Sequence, residues 1–214
     1  TKHPVQVLLQ SKGYNTLTRL NNDDKVIPLN YKIPEYGLSL QFYPHQFTQV
    51  NALMNRELVR TTLGYLGNIA DQVVADMFCG IGNFTLPLAR AGARVVGIEG
   101  SQEVVIMGQH NAQRNGLSGR CHFADEDLYS ETATAEVDAS MLATLRHFGK
   151  FPQALILDPP RGGAGPNLES WVNPPELEQI VYSPTNDNPL LITYDGKSFN
   201  YGKTSIQPIG ELSQ

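Results

Sequence analysis

Asp76-Met77-Phe78-Cys79-Gly80-Ile81-Gly82-Asn83-Phe84 is the stretch that decides the fold. It follows the apolar run Val73-Val74-Ala75 and leads into a helical pattern from Phe84 to Ala91. A short buried strand that breaks at two glycines and resumes as a helix is the opening of a βαβ unit. Gly80 and Gly82 allow a sharp turn and let the backbone approach a ligand closely. A G-x-G turn alone suits many nucleotide folds, so its surroundings must decide what it serves.

Downstream, Arg94-Val95-Val96-Gly97-Ile98-Glu99 reads as a second strand, and its last residue is an acid 17 positions after Gly82. An acid at that strand end is placed to accept hydrogen bonds from a ribose diol. Ser101 is the expected cap of a helix running to about Asn115, with Gly116 as its stop. Cys121–Ala124 is a third strand, followed by Asp125, Glu126 and Asp127, where a carboxylate can meet an adenine amino group. Residues 138–148 suggest a helix, Ala154–Asp158 a fourth strand and Gln179–Tyr182 a fifth. Strands alternating with helices predict an α/β fold with an open, mostly parallel, doubly wound sheet. No third glycine completes G-x-G-x-x-G, and no Lys–Ser/Thr pair follows to hold phosphates. A ligand with ribose and adenine but no pyrophosphate fits better, which is S-adenosylmethionine.

Upstream, residues 1–46 read as a β-rich segment, with Val5–Leu9 and Leu38–Phe42 as strands and turns at Gly13, Asn21–Asp24 and Gly37. From about Thr48 the period becomes helical. Val50, Leu53, Met54, Leu58, Val59, Leu63 and Leu66 predict an amphipathic helix that begins near Gln49 and ends near Gly67. After Tyr182 the α/β rhythm is lost, and Leu190–Tyr194 with Ser205–Ile209 suggest a hairpin. The expected division is residues 1–46, a cofactor domain over 47–182, and a divergent tail over 183–214.

Composition bounds the function. The 214 residues are 41% hydrophobic and 17% charged, which fits one ordinary globular domain. The net charge of -5 argues against a dedicated nucleic-acid module with a basic face. No apolar run is long enough to span a membrane, and Thr1-Lys2-His3-Pro4 lacks a signal-peptide core. The start without Met leads to the expectation of a trimmed chain or a fragment. Two cysteines, Cys79 and Cys121, cannot supply a four-thiolate zinc or iron–sulfur site, and the five histidines show no metal-ligand spacing. Both cysteines are expected to be packing residues in a reducing, cytoplasmic setting.

Asp158-Pro159-Pro160-Arg161-Gly162-Gly163 closes the fourth strand. The prolines stiffen the loop, so the Asp158 carboxylate is held in place. Together with Phe47-Thr48-Gln49-Val50-Asn51, Asp76 to Ala89, Val95 to Gly100, Asn111-Ala112, Asn115-Gly116-Leu117 and Leu157 to Ala164, this resembles the RNA uracil-5 methyltransferases. The Gln-Val-Asn and Gly-Asn-Phe-Thr-Leu-Pro-Leu-Ala forms are most similar to the branch acting on 23S ribosomal RNA, the RumA type. The resemblance implies a Rossmann-like S-adenosylmethionine-dependent methyltransferase fold. It also implies cofactor-binding roles for Gln49, Phe78, Gly80, Asn83, Glu99, Asp127 and Asp158, with Asp158 orienting the uracil ring as well. It further implies a cytoplasmic monomer with no membrane partner, which meets 23S ribosomal RNA through a longer parent protein. The parent's RNA-binding barrel and iron–sulfur cysteines would lie upstream of this stretch.

One element of the family pattern is missing. Members activate uracil with a cysteine thiolate that adds to carbon 6, in a loop after the strand ending Ile-Val-Tyr. Here Ile180-Val181-Tyr182 is followed by Ser183-Pro184-Thr185, with no cysteine. Three readings are open: a fragment or a chain with residues omitted, which is preferred; a cofactor-binding module that does not methylate; and direct transfer to a nitrogen oriented by Asp158-Pro159-Pro160.

Overall fold

A computed structural model of the chain describes residues 7–10, 17–20, 26–130, 139–164, 167–172, 176–183, 190–194 and 199–202. Its centre is strand β5, Val73–Met77, every residue of which is buried. β5 pairs in parallel with β6, Arg94–Glu99, on one side and with β8, Ala154–Leu157, on the other. β7, Cys121–Asp125, pairs in parallel with β6, and β9, Gln179–Tyr182, with β8. The middles of these strands are mostly apolar because helices cover both faces, with Asp76 of β5 a buried exception.

Alternation along the strands divides the core in two. Val74, Val95, Ala154 and Ile156 face a cluster with α1, Ala52–Leu66, α2, Thr85–Arg90, and α3, Gln102–Arg114. Ala75, Met77, Val96, Ile98, Leu155 and Leu157 face the other cluster, which holds Met141 of α4, Ala139–Phe148, and Trp171 of α5, Leu168–Trp171. A full sheet order is completed by two antiparallel strands, β10, Leu190–Tyr194, and β11, Phe199–Gly202, giving β11-β10-β9-β8-β5-β6-β7. The second hairpin strand expected at 205–209 lies outside the described residues. The described partner of β10 is β11, nearer in sequence, and β10 also pairs with β9, so the hairpin extends the main sheet.

The β-rich start forms two separate hairpins. β1, Leu8–Gln10, pairs with β2, Leu17–Arg19, and β3, Leu29–Ile33, pairs with β4, Leu38–Phe42. A 3-10 turn at Pro34–Tyr36 joins the second pair and ends on Gly37 at φ 60, where a left-handed residue is needed. Ile33, Leu38 and Leu40 are buried in the α1–α3 cluster, so this hairpin docks on the sheet domain.

One helix start differs from the sequence reading. α1 begins at Ala52, because Asn51 is extended and its side chain accepts hydrogen bonds from the amides of Leu53 and Met54. Gln49 therefore precedes the helix, and Val50, Leu53 and Met54 are exposed instead of lying in its core stripe. Ser101 occupies the cap position of α3, but its side chain makes no capping hydrogen bond.

Helix α3 packs on β7 through Gly108, where an added Cβ would lie 2.4 Å from the Phe123 ring. Phe123 is buried, with its ring also close against Gly82. Gly108→Ala is expected to destabilise the fold by about 1–3 kcal/mol, despite the better helix propensity of alanine. Gly119→Ala, which meets nothing within 4 Å, should stay within about 0.5 kcal/mol of the parent. Urea denaturation of both variants checks this, and equal stability of the two would contradict the packing described.

Candidate functional site

The order β7-β6-β5-β8-β9 reverses direction between β5 and β8. Ligands of open α/β sheets bind in the crevice at the carboxyl ends of the strands beside such a reversal. Met77 and Leu157 are register partners there, so the turn after β5 and Asp158 after β8 leave the sheet side by side.

The turn is built from unusual backbone. Phe78, Gly80 and Gly82 have φ of 60, 54 and 99. A phenylalanine in this region is strained by its Cβ, at a cost of order 1 kcal/mol, so its surroundings must hold it. Phe78 packs between Tyr129, with ring centres 5.7 Å apart, and Trp171, at 5.9 Å and edge-on. Each such aromatic contact contributes about 0.5–1.5 kcal/mol beyond buried area, enough to offset the strain. Cys79 N–H donates to the Ile98 carbonyl at 3.0 Å, and Gly82 N–H donates back to the Cys79 carbonyl at 3.0 Å, which closes the loop.

Glu99 sits at the end of β6 and faces this turn. Its carboxylate accepts from Gly80 N–H and Ser101 N–H, both at 3.2 Å. Burial raises its pKa, opposed by hydrogen bonds from the Gly80, Ser101 and Gly100 backbone. Asp76, fully buried beneath the turn, accepts a 2.6 Å hydrogen bond from the Thr85 hydroxyl. Its Oδ1 has no hydrogen-bond partner among the described residues. Burial pushes the Asp76 carboxyl up to about 7; the Thr85 hydrogen bond opposes this, and the Asp158 and Glu99 charges add to the rise.

Other expected residues fall as follows. Asp127 is exposed after β7, and its carboxylate accepts from Tyr129 N–H at 3.0 Å, shaping its own loop. That loop is tied to the one after β8: the Tyr129 hydroxyl donates to the Gly163 carbonyl at 2.9 Å, and Asn167 donates to the Leu128 and Ser130 carbonyls. Gln49 is half-buried in the extended segment ahead of α1. The Asn83 side chain is turned to the α1 side. Its Oδ1 accepts from Asn55 and from the Tyr31 hydroxyl, and its Nδ2 donates to Asn55. Asn55, Tyr31, Thr85, Tyr129 and Trp171 were not singled out from the sequence; their roles rest on contacts between distant segments.

Both cysteines are buried. Burial, with the nearby Asp76 and Glu99 charges, pushes the Cys79 thiol well up, and burial pushes Cys121 to about 12. Neither is a thiolate near neutral pH. Ser183, the first residue after β9, is buried and donates its N–H to the Leu157 carbonyl at 2.8 Å, so the chain passes beside Asp158 where the resemblance places a cysteine loop. Among the described residues, no group of three or more potential ligands could hold a metal, and no helix is long and apolar enough to cross a membrane.

A family model described as tRNA (uracil-5-)-methyltransferase matches residues 4–194. The chain belongs to this family. It is 44% identical over 163 residues to a 23S rRNA (uracil(1939)-C(5))-methyltransferase RlmD of Nitrosospira multiformis, covering 76% of this chain and 35% of that protein. It is 42% identical over 191 residues to the protein of that name from Hahella chejuensis, covering 89% of this chain and 41% of the other. The chain thus spans well under half the length of these uracil-5 methyltransferases. Among solved structures, the Pyrococcus abyssi tRNA (uracil-54, C5)-methyltransferase in complex with S-adenosyl-L-homocysteine superposes with a TM-score of 0.61 at 20% identity. It covers 84% of this chain and 40% of that one, and it bears out the α/β methyltransferase fold.

Because the folded Asp76 carboxyl holds its proton more tightly than an unfolded one, its contribution to stability is present at low pH and is lost as pH rises toward about 7. Asp76→Asn cannot ionise. The variant is expected to match the parent most closely below about pH 4, where the unfolded carboxyl also keeps its proton, and to exceed it at pH 8, read from urea midpoints at both values. A parent whose stability relative to the variant does not fall between these values would contradict this assignment.

Proposed function

We propose that this chain is the S-adenosylmethionine-binding part of an RNA uracil-5 methyltransferase acting on 23S ribosomal RNA. The observation that carries the reading is the acid at the end of β6 facing a left-handed glycine turn. Glu99 touches Gly80, and a Cβ added to Gly80 would meet nothing within 4 Å, so a ligand can lie against bare backbone. Residues 47–182 form the cofactor domain in this reading, residues 1–46 belong to the substrate side, and the segment after 183 is a divergent tail.

The residues fit the cofactor. Glu99 accepts the ribose hydroxyls, Asp127 meets the adenine edge, and Phe78 with the Gly80–Asn83 turn cradles the amino-acid end. Gln49 closes the pocket from the segment ahead of α1. Asn83 contributes its backbone and the second N–H of its amide. Asp76, Glu99 and Asp158 surround the site with carboxyl groups, which favours a ligand bearing ammonium and sulfonium charges. Bound there, S-adenosylmethionine supplies an electrophilic methyl group. Asp158, stiffened by Pro159 and Pro160, orients the uracil ring beside it.

Uracil carbon 5 needs covalent activation, and this chain places no thiolate beside Asp158. The reading therefore gives residues 1–214 cofactor binding and base orientation without the covalent step. Ribosomal RNA recognition, the cytoplasmic setting and the cluster expected from the resemblance belong to the longer parent protein.

Calorimetry with S-adenosylhomocysteine tests the cofactor site. Loss of the charged hydrogen bonds in Glu99→Ala should weaken binding by about 10-fold or more. Unchanged affinity would sink the ribose assignment. In a methyl-transfer assay on 23S ribosomal RNA with labelled donor, this chain should form no 5-methyluridine. Its appearance would contradict the missing covalent step, and label on a nitrogen would favour direct transfer.

A further inference from the structure

Asn111 on α3 and Asn115 at its C-terminal cap lie one turn apart and face the open edge of β4. The Asn111 Oδ1 accepts from Gln41 N–H at 2.7 Å, and its Nδ2 donates to the Gln41 carbonyl at 2.9 Å. Asn115 repeats the arrangement on Ser39, accepting at 3.1 Å and donating at 3.0 Å. The geometry follows from chain dimensions. Four helix residues rise about 6 Å, and two strand residues rise about 6.6 Å. Two amides at i and i+4 on a helix can therefore satisfy strand residues i and i+2 as a neighbouring strand would.

The two asparagines differ in one respect. The Asn111 Nδ2 also donates to the Ile81 carbonyl at 3.2 Å, inside the turn between Gly80 and Gly82. Among the described residues, the Asn115 side chain bonds to Ser39 and to the Asn111 carbonyl, with no bond to the turn. Asn111 is completely buried, so each of these bonds replaces one to water and leaving it unmade would be costly. On the far side of the turn, the Asn55–Asn83 amide pair, with both bonds at 2.9 Å, is joined by the Tyr31 hydroxyl of β3 at 3.0 Å. The hairpin β3–β4 therefore holds the turn at both ends, through Ile81 and through Asn83.

We propose that Asn111 is a positioning residue that fixes the Gly80–Asn83 turn to hairpin β3–β4, which makes the hairpin a structural part of the cofactor site. The proposal rests on the reading of that turn as the cofactor cradle. A hairpin that only added bulk to the core would need no link to Ile81.

The test compares Asn111→Asp with Asn115→Asp, measuring the urea midpoint and the affinity for S-adenosylhomocysteine in each. Aspartate keeps the shape and the accepted bond but sets a carboxylate against the carbonyls. Both variants should lose stability. Only Asn111→Asp should weaken S-adenosylhomocysteine binding, by about 10-fold, with Asn115→Asp within about 2-fold of the parent. Equal effects on affinity, or an unchanged affinity in Asn111→Asp, would overturn the proposal. If Asn111→Asp does not fold, Tyr31→Phe decides at the other end, where removal of one hydroxyl should weaken binding about 3-fold or more, and parent-like binding would overturn it. A parent that does not bind, or a Glu99→Ala variant that binds like the parent, would instead remove the cofactor reading beneath it.

Discussion

The structure depends on a chain reversal at the end of β5 that leaves its backbone open. Three residues at positive φ within five positions, Phe78, Gly80 and Gly82, carry the chain from the buried strand to α2. Glycine makes two of these nearly free of strain. The third needs support, which Tyr129 provides from the loop after β7 and Trp171 from the end of α5. Beneath the turn, the Asp76–Thr85 hydrogen bond ties strand to helix, and Gly97 gives it room: a Cβ there would lie 2.8 Å from both Cys79 Sγ and Thr85 Oγ1. The two faces of the sheet thus converge on one short loop.

A net charge of -5 does not say where along the fold the acids lie. The acids with shifted pKa near the turn, Asp76 and Glu99, belong to the proposed donor site, where a cationic ligand favours them. Composition summed over the chain counts such buried acids as it counts surface ones, and it cannot tell the two apart.

Much of the fold was legible because local patterns and tertiary structure agree. The short, largely apolar runs at 73–77, 95–98 and 154–157 read as strands buried on both faces, with Asp76 the one acid inside them, and the glycines at 80 and 82 marked the turn. The start of α1 was misplaced because Val50, Leu53 and Met54 match a helical period, while Asn51 ends the extended segment by its own hydrogen bonds. Apolar spacing does not report which way a helix face points. The links through Asn111, Asn115 and Asn55 were invisible for a different reason. Asn111 and Asn115 imitate a strand toward partners some 70 positions away, and Asn55 pairs with Asn83, 28 positions away, so each link can be recognised only once its partner is in place.

In the proposed reading, the turn after β5 and the acid ending β6 form one cofactor cradle. Amide hydrogen exchange of the chain with and without S-adenosylhomocysteine tests this. Binding should slow exchange at residues 78–84 and 99–102 and leave the β1–β2 hairpin unchanged. Binding without protection at those two segments, or with protection confined to other parts of the sheet, would contradict it.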